Sequence, residues 1–170
     1  MESISKYINL TLKIIIGTIL VFLILLVFGN AILRYLFNSG IVWSEELARY
    51  LFVWLVFLGA VLAYRDKEHI IVDILILNVP RPVQKILYIF SNLIVCISMI
   101  MFFYGTILLI NLNSGILGPA TGLPINLLYI AGGVCAFAIV ILVIVQSLQF
   151  FKGTYTPQWL RETELEEDEI

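Results

Sequence analysis

The sequence predicts an all-α integral membrane protein with four transmembrane helices, some of them long and tilted, and a short interfacial segment. Of its 170 residues, 61% are hydrophobic and only 13% are charged, and the mean hydropathy is +1.04. A water-soluble domain of this length could not bury so much apolar surface, because small proteins leave most residues in contact with solvent. Four long apolar segments are bounded by charged or turn-forming residues. We therefore expect one membrane domain over residues 1–170 with lipid as its main solvent.

The first apolar segment predicts a span over residues 14–36. Its first twenty residues are uncharged and lie between Lys13 and Arg34, enough for about 30 Å of helix, the thickness of the hydrocarbon core. A cleaved signal peptide is the alternative, because Lys6 and Lys13 precede the segment. The apolar run is longer than a usual signal-peptide core and no small-residue cleavage pattern follows, so we expect the helix to be retained.

The second segment predicts a span over residues 44–64 with charges crowded at its start. Ser44 is placed to cap the helix, and Glu45 and Glu46 lie where the helix dipole favours anions. Glu45 and Arg49 are four residues apart and could pair on one face. A charge at the bilayer centre costs about 2.5–3.5 kcal/mol on the insertion scale, so we expect this group at a membrane surface or against a protein partner.

The second half of the chain predicts spans over residues 86–112 and 125–151. Both are long for a perpendicular crossing, which predicts tilt or extension beyond the lipid. Their uncharged connection, rich in glycine and proline, is typical of a turn-forming loop. Residues 70–79 are apolar but too few to cross, which predicts the interfacial segment, and residues 153–170 predict an acidic, solvated tail.

The distribution of lysine and arginine predicts the orientation of the chain. Eight of these ten residues fall in the N-terminus, the connection after the second span and the tail, and the other two are Arg34 and Arg49. Because positive residues concentrate on the cytoplasmic side, we expect both termini in the cytoplasm. The net charge of −2 and the absence of a basic stripe predict no nucleic-acid partner.

Polar and aromatic side chains near the charged group are candidate interaction residues. Asn30 and Arg34 lie one helical turn apart, and Arg34 could either extend to the lipid headgroups or meet Glu45 or Glu46 across the short connection. The second helix also carries an aromatic stripe on one side, which could be internal packing surface or a contact with another polypeptide. Its members are Trp43, Tyr50, Trp54, Phe57 and Val61.

Trp54 and two pairs of small residues favour packing between helices. Trp54 lies near the middle of its span, where lipid tails offer no acceptor for its indole N–H. Gly59 with Ala63, and Gly132 with Ala136, have the spacing that lets helices approach closely. We expect these faces to pack within the subunit or against its partner.

Catalytic and cofactor-binding motifs are absent from the sequence. His69 is the only histidine, and beside the interfacial segment it is expected to form hydrogen bonds rather than to bind a ligand. Cys96 and Cys135 fall within apolar runs and are expected to be small buried side chains. No nucleophile–base set, phosphate-binding loop or paired cysteine motif occurs. We therefore expect no enzyme activity, no cofactor and no metal site.

An ordered set of motif residues runs through positions 30–73: Asn30, Arg34, Tyr35, Trp43, Glu45, Glu46, Leu47, Arg49, Tyr50, Trp54, Gly59, Ala60, His69, Ile70, Val72 and Asp73. This set resembles the small membrane subunit of tripartite ATP-independent periplasmic (TRAP) transporters. The second half is similar more loosely: Pro119, Pro124 and Tyr129 match, but residues 131–133 replace an expected proline-containing stretch.

The resemblance implies a three-part system in the bacterial inner membrane. A periplasmic binding protein would capture an organic acid, commonly a sialic acid or a C4-dicarboxylate, and a large membrane subunit would import it with sodium. The small subunit would be a scaffold that binds the large subunit and helps dock the binding protein. Its aromatic and small-residue faces would form the interface, with Arg34, Glu45, Glu46 and Arg49 at the periplasmic edge, where we favour a role in locking helix ends.

Two other functions fit a small polytopic protein. The first is a membrane anchor of a respiratory dehydrogenase with a quinone site, although His69 alone could not supply bis-histidine haem ligation. The second is a self-assembling channel or small exporter, which would form homo-oligomers and transport without a partner.

Overall fold

The computed structural model describes residues 2–66 and 81–151, which form four α-helices. Their bounds are Glu2–Phe37 (α1), Val42–Asp66 (α2), Arg81–Leu112 (α3) and Asn126–Phe151 (α4). Each is long and apolar enough to cross a membrane, with candidate spans Asn9–Phe37, Val42–Arg65, Ile86–Leu112 and Asn126–Gln149. The predicted four-helix membrane fold is confirmed. The predicted interfacial segment and acidic tail, as well as His69 and Asp73, lie outside the described residues.

Three helices begin earlier than the expected spans, α1 and α3 by the most. α1 has 36 residues and is therefore about 54 Å long, well beyond the thickness of the hydrocarbon core. No glycine or proline interrupts residues 2–13, so the helix continues through the more polar residues that precede the span. α3 begins at Arg81, and Pro82 lies in its first turn, where the missing N–H of proline is tolerated.

The helices are arranged in the order α1, α2, α4, α3. The main contacts join α1 to α2, α2 to α4, and α4 to α3. α4 is the most enclosed helix: 39% of its 18-residue apolar stretch is buried, compared with 0% of the corresponding stretch of α1. The outer helices therefore expose most of their apolar side chains to lipid or to another protein.

The core lies where α4 meets α2 and α3. Val61, Cys135, Ile139 and Val143 form its buried centre. A Cβ added at Gly132 would lie 3.3 Å from the Phe102 ring and 3.4 Å from the Phe57 ring, so a larger residue would have to displace these aromatic side chains. Ala136, one turn further along α4, is completely buried. The Gly132 and Ala136 pair thus lies inside the subunit, as small-residue spacing allows.

Candidate interaction site at the loop end of the bundle

The α1–α2 connection and the α3–α4 loop lie at the same end of the bundle. The first connection, residues 38–41, begins with Asn38 at a φ of +51°, a conformation that asparagine adopts more readily than most residues. The backbone N–H of Ser39 donates to the carbonyl of Leu33 at 3.2 Å and ends α1. α2 then begins at Val42 and carries the polar residues that contact both connections.

A cluster of Asn30, Arg34 and Glu45, which we call the α1–α2 polar cluster, joins the first two helices. Asn30 is buried, and its Oδ1 accepts a hydrogen bond of 2.7 Å from the backbone N–H of Ile41. Its Nδ2 donates to Glu45 Oε1 at 3.4 Å, and the same carboxylate oxygen pairs with Arg34. A Cβ at Gly40 would lie 3.3 Å from Arg34 Nε, so the connection passes close to the guanidinium.

Two predictions about the start of α2 are corrected by this geometry. The helix begins two residues before Ser44, and the Ser44 hydroxyl donates to the carbonyl of Ile41 at 2.8 Å instead of accepting a hydrogen bond as an N-cap. The side chain that accepts a backbone N–H here is Asn30, which lies on α1. Glu45 pairs with Arg34 rather than with Arg49, because the short connection brings the end of α1 next to the first turn of α2.

Glu46 and Tyr50 bind the loop between α3 and α4. Glu46 is buried, and its Oε2 accepts hydrogen bonds from the backbone N–H groups of Ala120 at 2.8 Å and Thr121 at 2.9 Å. One turn further along α2, the buried Tyr50 hydroxyl donates to the carbonyl of Leu123 at 3.3 Å. We call this group the Glu46 loop site.

The bound loop is itself ordered by backbone hydrogen bonds. The N–H of Gly118 donates to the carbonyl of Leu123 at 2.8 Å, and the N–H of Ile125 donates to the carbonyl of Ile116 at 3.1 Å, so the two arms of the loop pair. Gly122 has a φ of +69°, which favours glycine. A Cβ at Gly118 would overlap the Glu46 carboxylate, so the site requires a residue without a side chain there.

The aromatic stripe on α2 is divided between the interior and the surface. Tyr50 and Val61 are buried, and the ring of Phe57 packs against Phe102 with centroids 6.0 Å apart, so these three residues contact the chain itself. Trp54 is half-buried and Trp43 is 48% exposed. Of the two roles considered for the stripe, its buried members therefore have internal packing, and contact with another polypeptide stays open for Trp43 and Trp54.

A second side of α2 is open instead. Helical spacing places five residues along it, which we call the exposed α2 face: Phe52, Val56, Gly59, Ala60 and Ala63. Nothing lies within 4 Å of a Cβ placed on Gly59, and Phe52 is 55% exposed. Arg49 is exposed at the end of the same face and interacts electrostatically with Glu46.

The fold and these contacts define a polytopic helical membrane protein in which the α1–α2 connection and the α3–α4 loop are fixed to the second helix. Residues 23–153 match the family model for tripartite ATP-independent periplasmic transporters, DctQ component. The chain belongs to this family and is a small permease subunit of a TRAP transporter. It is therefore a multi-pass protein of the inner membrane, and the family implies association with a large permease subunit.

Relatives in characterised bacteria agree with this assignment. Two Haemophilus influenzae proteins, both named as TRAP transporter small permease proteins, are each 38% identical, and one match covers 90% of this chain and 98% of the relative. The C4-dicarboxylate TRAP transporter small permease protein DctQ of Vibrio cholerae is 42% identical over 36% of this chain and 27% of the relative. The sialic acid TRAP transporter permease protein SiaT of Haemophilus influenzae is 32% identical over 58% of this chain and 16% of the relative. These matches give no support to a dehydrogenase anchor.

Proposed function

We propose that this chain is the non-catalytic scaffold of a sodium-coupled secondary transporter that imports an organic acid of the sialic acid or C4-dicarboxylate class. The observation that carries the proposal is the family match over most of the chain. The substrate classes are those in the names of the SiaT and DctQ relatives. Sodium coupling follows from the family resemblance.

The composition of the spans supports a structural role. No acidic or basic residue lies between Lys13 and Arg34 or between Arg49 and Arg65, and the spans of α3 and α4 contain none. Pathways for ions and charged solutes through a membrane are normally lined by such groups. The organic acid and its coupling ions therefore pass through the large subunit.

The match to SiaT supports direct contact with the large subunit. This chain is similar to a segment that makes up 16% of that longer permease, so in the relative the corresponding segment is covalently joined to the rest of a permease. In this chain the contact would be non-covalent, and the exposed α2 face offers small and apolar side chains for it. Close packing against small residues is a common mode of helix association in membranes.

The charge distribution supports a periplasmic location for the loop end. Eight of ten basic residues flank the opposite end of the spans, which favours a cytoplasmic location for both termini. The α3–α4 loop then faces the periplasmic binding protein. Because Glu46 and Tyr50 fix this loop to α2, it presents an ordered surface that contributes to docking.

Uptake measured in proteoliposomes tests the proposal. The chain, the co-purified large subunit and the binding protein should together accumulate a sialic acid or a C4-dicarboxylate when a sodium gradient is imposed. The chain alone should accumulate neither. Uptake by the chain alone, or uptake independent of sodium, would contradict the proposal.

Thiol labelling tests the orientation separately. A Ser114→Cys variant places a thiol in the exposed part of the α3–α4 loop. A membrane-impermeant reagent should label it in intact spheroplasts, because the loop faces outward. The unsubstituted chain, whose Cys96 and Cys135 lie in the spans, is the control. Labelling only after the membrane is broken would show that the α3–α4 loop faces the cytoplasm and would contradict the proposed orientation.

A further inference from the structure

We propose that a groove between α3 and α4 binds a glycerophospholipid, with one acyl chain along its apolar floor and the ester and phosphate region at its polar mouth. The groove has a volume of about 270 Å³ and is lined by Tyr88, Ile89, Asn92, Leu93, Cys96, Val143, Ile144, Ser147 and Leu148. It lies at the opposite end of the bundle from the loop site, near the start of α3 and the end of α4.

The groove is continuous with the lipid-facing surface of the helices. Leu93, Ile144 and Leu148 are 54%, 48% and 55% exposed, so one side of the groove is open to the bilayer. Val143 is 2% exposed and closes its floor. A lipid chain can therefore enter laterally from the surrounding membrane, without an opening through the protein.

The polarity of the groove lining decreases with depth in the membrane, as the polarity of a phospholipid decreases from its headgroup to its acyl chains. Asn92 is the seventh residue of the α3 span, about 9 Å from its start, and Ser147 lies near the end of the α4 span. Cys96 lies one turn deeper, about 15 Å from the start, where half of a 30 Å hydrocarbon core has been crossed. The groove thus extends through one leaflet: Tyr88 and Ser147, each about 3 Å from the end of its span, lie at the outer end, Asn92 lies further in, and apolar groups line the inner end.

The groups at the mouth are suited to the oxygen atoms of a phospholipid. Asn92 Nδ2 lies 3.5 Å from Ser147 Oγ, at the outer limit of a hydrogen bond. The amide and the hydroxyl keep further donor capacity, and ester carbonyl and phosphate oxygens are acceptors. The Tyr88 hydroxyl, which contacts the Asn92 side chain, adds a third polar group to this mouth.

The charge at the start of α3 is complementary to a phosphate. The first five residues of α3 include Arg81 and Lys85, and neither α3 nor α4 contains an acidic residue. Basic residues at a membrane surface attract anionic lipid headgroups. A phospholipid therefore fits the groove better than an uncharged apolar helix, which carries no anionic group for these basic residues.

A photoactivatable phospholipid tests the proposal on the assembled transporter. A glycerophospholipid with a diazirine in the middle of one acyl chain is incorporated into nanodiscs with the full chain and its co-purified large subunit, and the labelled peptides are mapped by mass spectrometry. Labelling should concentrate on Leu93 and Ile144. It should fall when unlabelled phospholipid is added and fall less with diacylglycerol, which has no phosphate.

Substitutions that fill the groove provide matched controls. Ile144→Trp and Leu148→Trp should reduce the labelling of Leu93 several-fold, because an indole would occupy the groove. Ile141→Trp and Val145→Trp, at exposed positions of α4 outside the lining, should leave it unchanged. Asn92→Leu should remove the preference for phospholipid over diacylglycerol.

Three outcomes would overturn the proposal. Uniform labelling of all lipid-facing helices would show ordinary boundary lipid. Equal competition by diacylglycerol would show that the polar mouth does not recognise phosphate. A disulfide formed between Leu93→Cys and the large subunit would show that a protein helix occupies the groove.

Discussion

Glu45 and Glu46 are adjacent in the sequence, but their carboxylates bind opposite neighbours. Glu45 pairs with Arg34 of α1, whereas Glu46 accepts two hydrogen bonds from the α3–α4 loop. Successive residues of an α-helix project about 100° apart, so one turn of α2 can contact both sides of the bundle. The N-terminus of α2 is therefore the element that fixes both connections.

Replacing Glu46 with glutamine should loosen the α3–α4 loop. Glu46→Gln keeps the size of the side chain but removes the charge that strengthens its hydrogen bonds to Ala120 and Thr121. Amide hydrogen exchange at these two residues should become several-fold faster. Glu45→Gln, the matched control, should change exchange in the loop much less because Glu45 faces α1. Equal effects of the two substitutions would contradict the separate roles assigned to these residues.

Adding a methyl group at Gly118 should displace the Glu46 carboxylate. In Gly118→Ala the new Cβ would overlap Glu46 Oε1, so the thermal unfolding temperature in detergent should fall. Gly105→Ala is the control, because nothing lies within 4 Å of its Cβ and alanine favours a helix interior. In a Glu46→Ala background, Gly118→Ala should cost less, since the clash is gone. If Gly118→Ala lowered the unfolding temperature equally in the Glu46→Ala background, the clash would not be with Glu46.

Within the α1–α2 polar cluster, Asn30 should contribute more stability than Arg34. The side chains of Arg34 and Glu45 are 59% and 54% exposed, so Arg34→Gln should lower the free energy of unfolding by at most about 1 kcal/mol. Asn30→Ala leaves the N–H of Ile41 without its acceptor and should cost about 1–3 kcal/mol. Reversible unfolding in mixed detergent measures both values. A larger effect of Arg34→Gln would reverse this ranking.

A bulky residue on the exposed α2 face should weaken binding of the large subunit. Ala63→Phe would prevent close approach of a partner helix, so less of the large subunit should co-purify. Ile107→Phe, on an exposed part of α3, is the control. Membrane insertion of both variants should be normal. If only Ile107→Phe reduced co-purification, α3 rather than α2 would be the contact.

Truncation of Trp54 tests the half-buried part of the aromatic stripe. Trp54→Ala should reduce co-purification of the large subunit without affecting insertion, because the indole N–H in mid-span needs a protein acceptor. Phe57→Ala is the comparison, since Phe57 packs against the chain itself and should lower stability instead. Unchanged co-purification would show that Trp54 does not contribute to the interface with the large subunit.

The four helices could be predicted because their evidence is local. Each apolar segment contains enough residues to cross a membrane, and charges or turn residues lie at its ends. The N-terminus of α2 was predicted incorrectly because its capping group, Asn30, comes from another helix. Local rules favour Ser44 there, and they cannot take account of Asn30, which lies eleven residues before Ile41 in the chain.

The Glu46 loop site could not be predicted from the sequence. Glu46 and Ala120 are separated by 74 residues. Because every residue except proline has a backbone N–H group, the sequence does not indicate which of these groups binds the Glu46 carboxylate. The glycine at position 118 indicated only a turn, whereas its main role is to make room for a carboxylate. The same limit applies to Tyr50 and Val61, whose side of α2 could be assigned only after the position of α4 was known.

The helix order α1, α2, α4, α3 has a consequence for biogenesis. α1 with α2, and α3 with α4, form two antiparallel hairpins, and the contacts between the two hairpins come mainly from α2 and α4. The first hairpin can leave the translocon and close before the second has been synthesised. The contact of Glu46 with Ala120 and Thr121 forms only when the second hairpin arrives, so it marks the completion of the subunit during its synthesis.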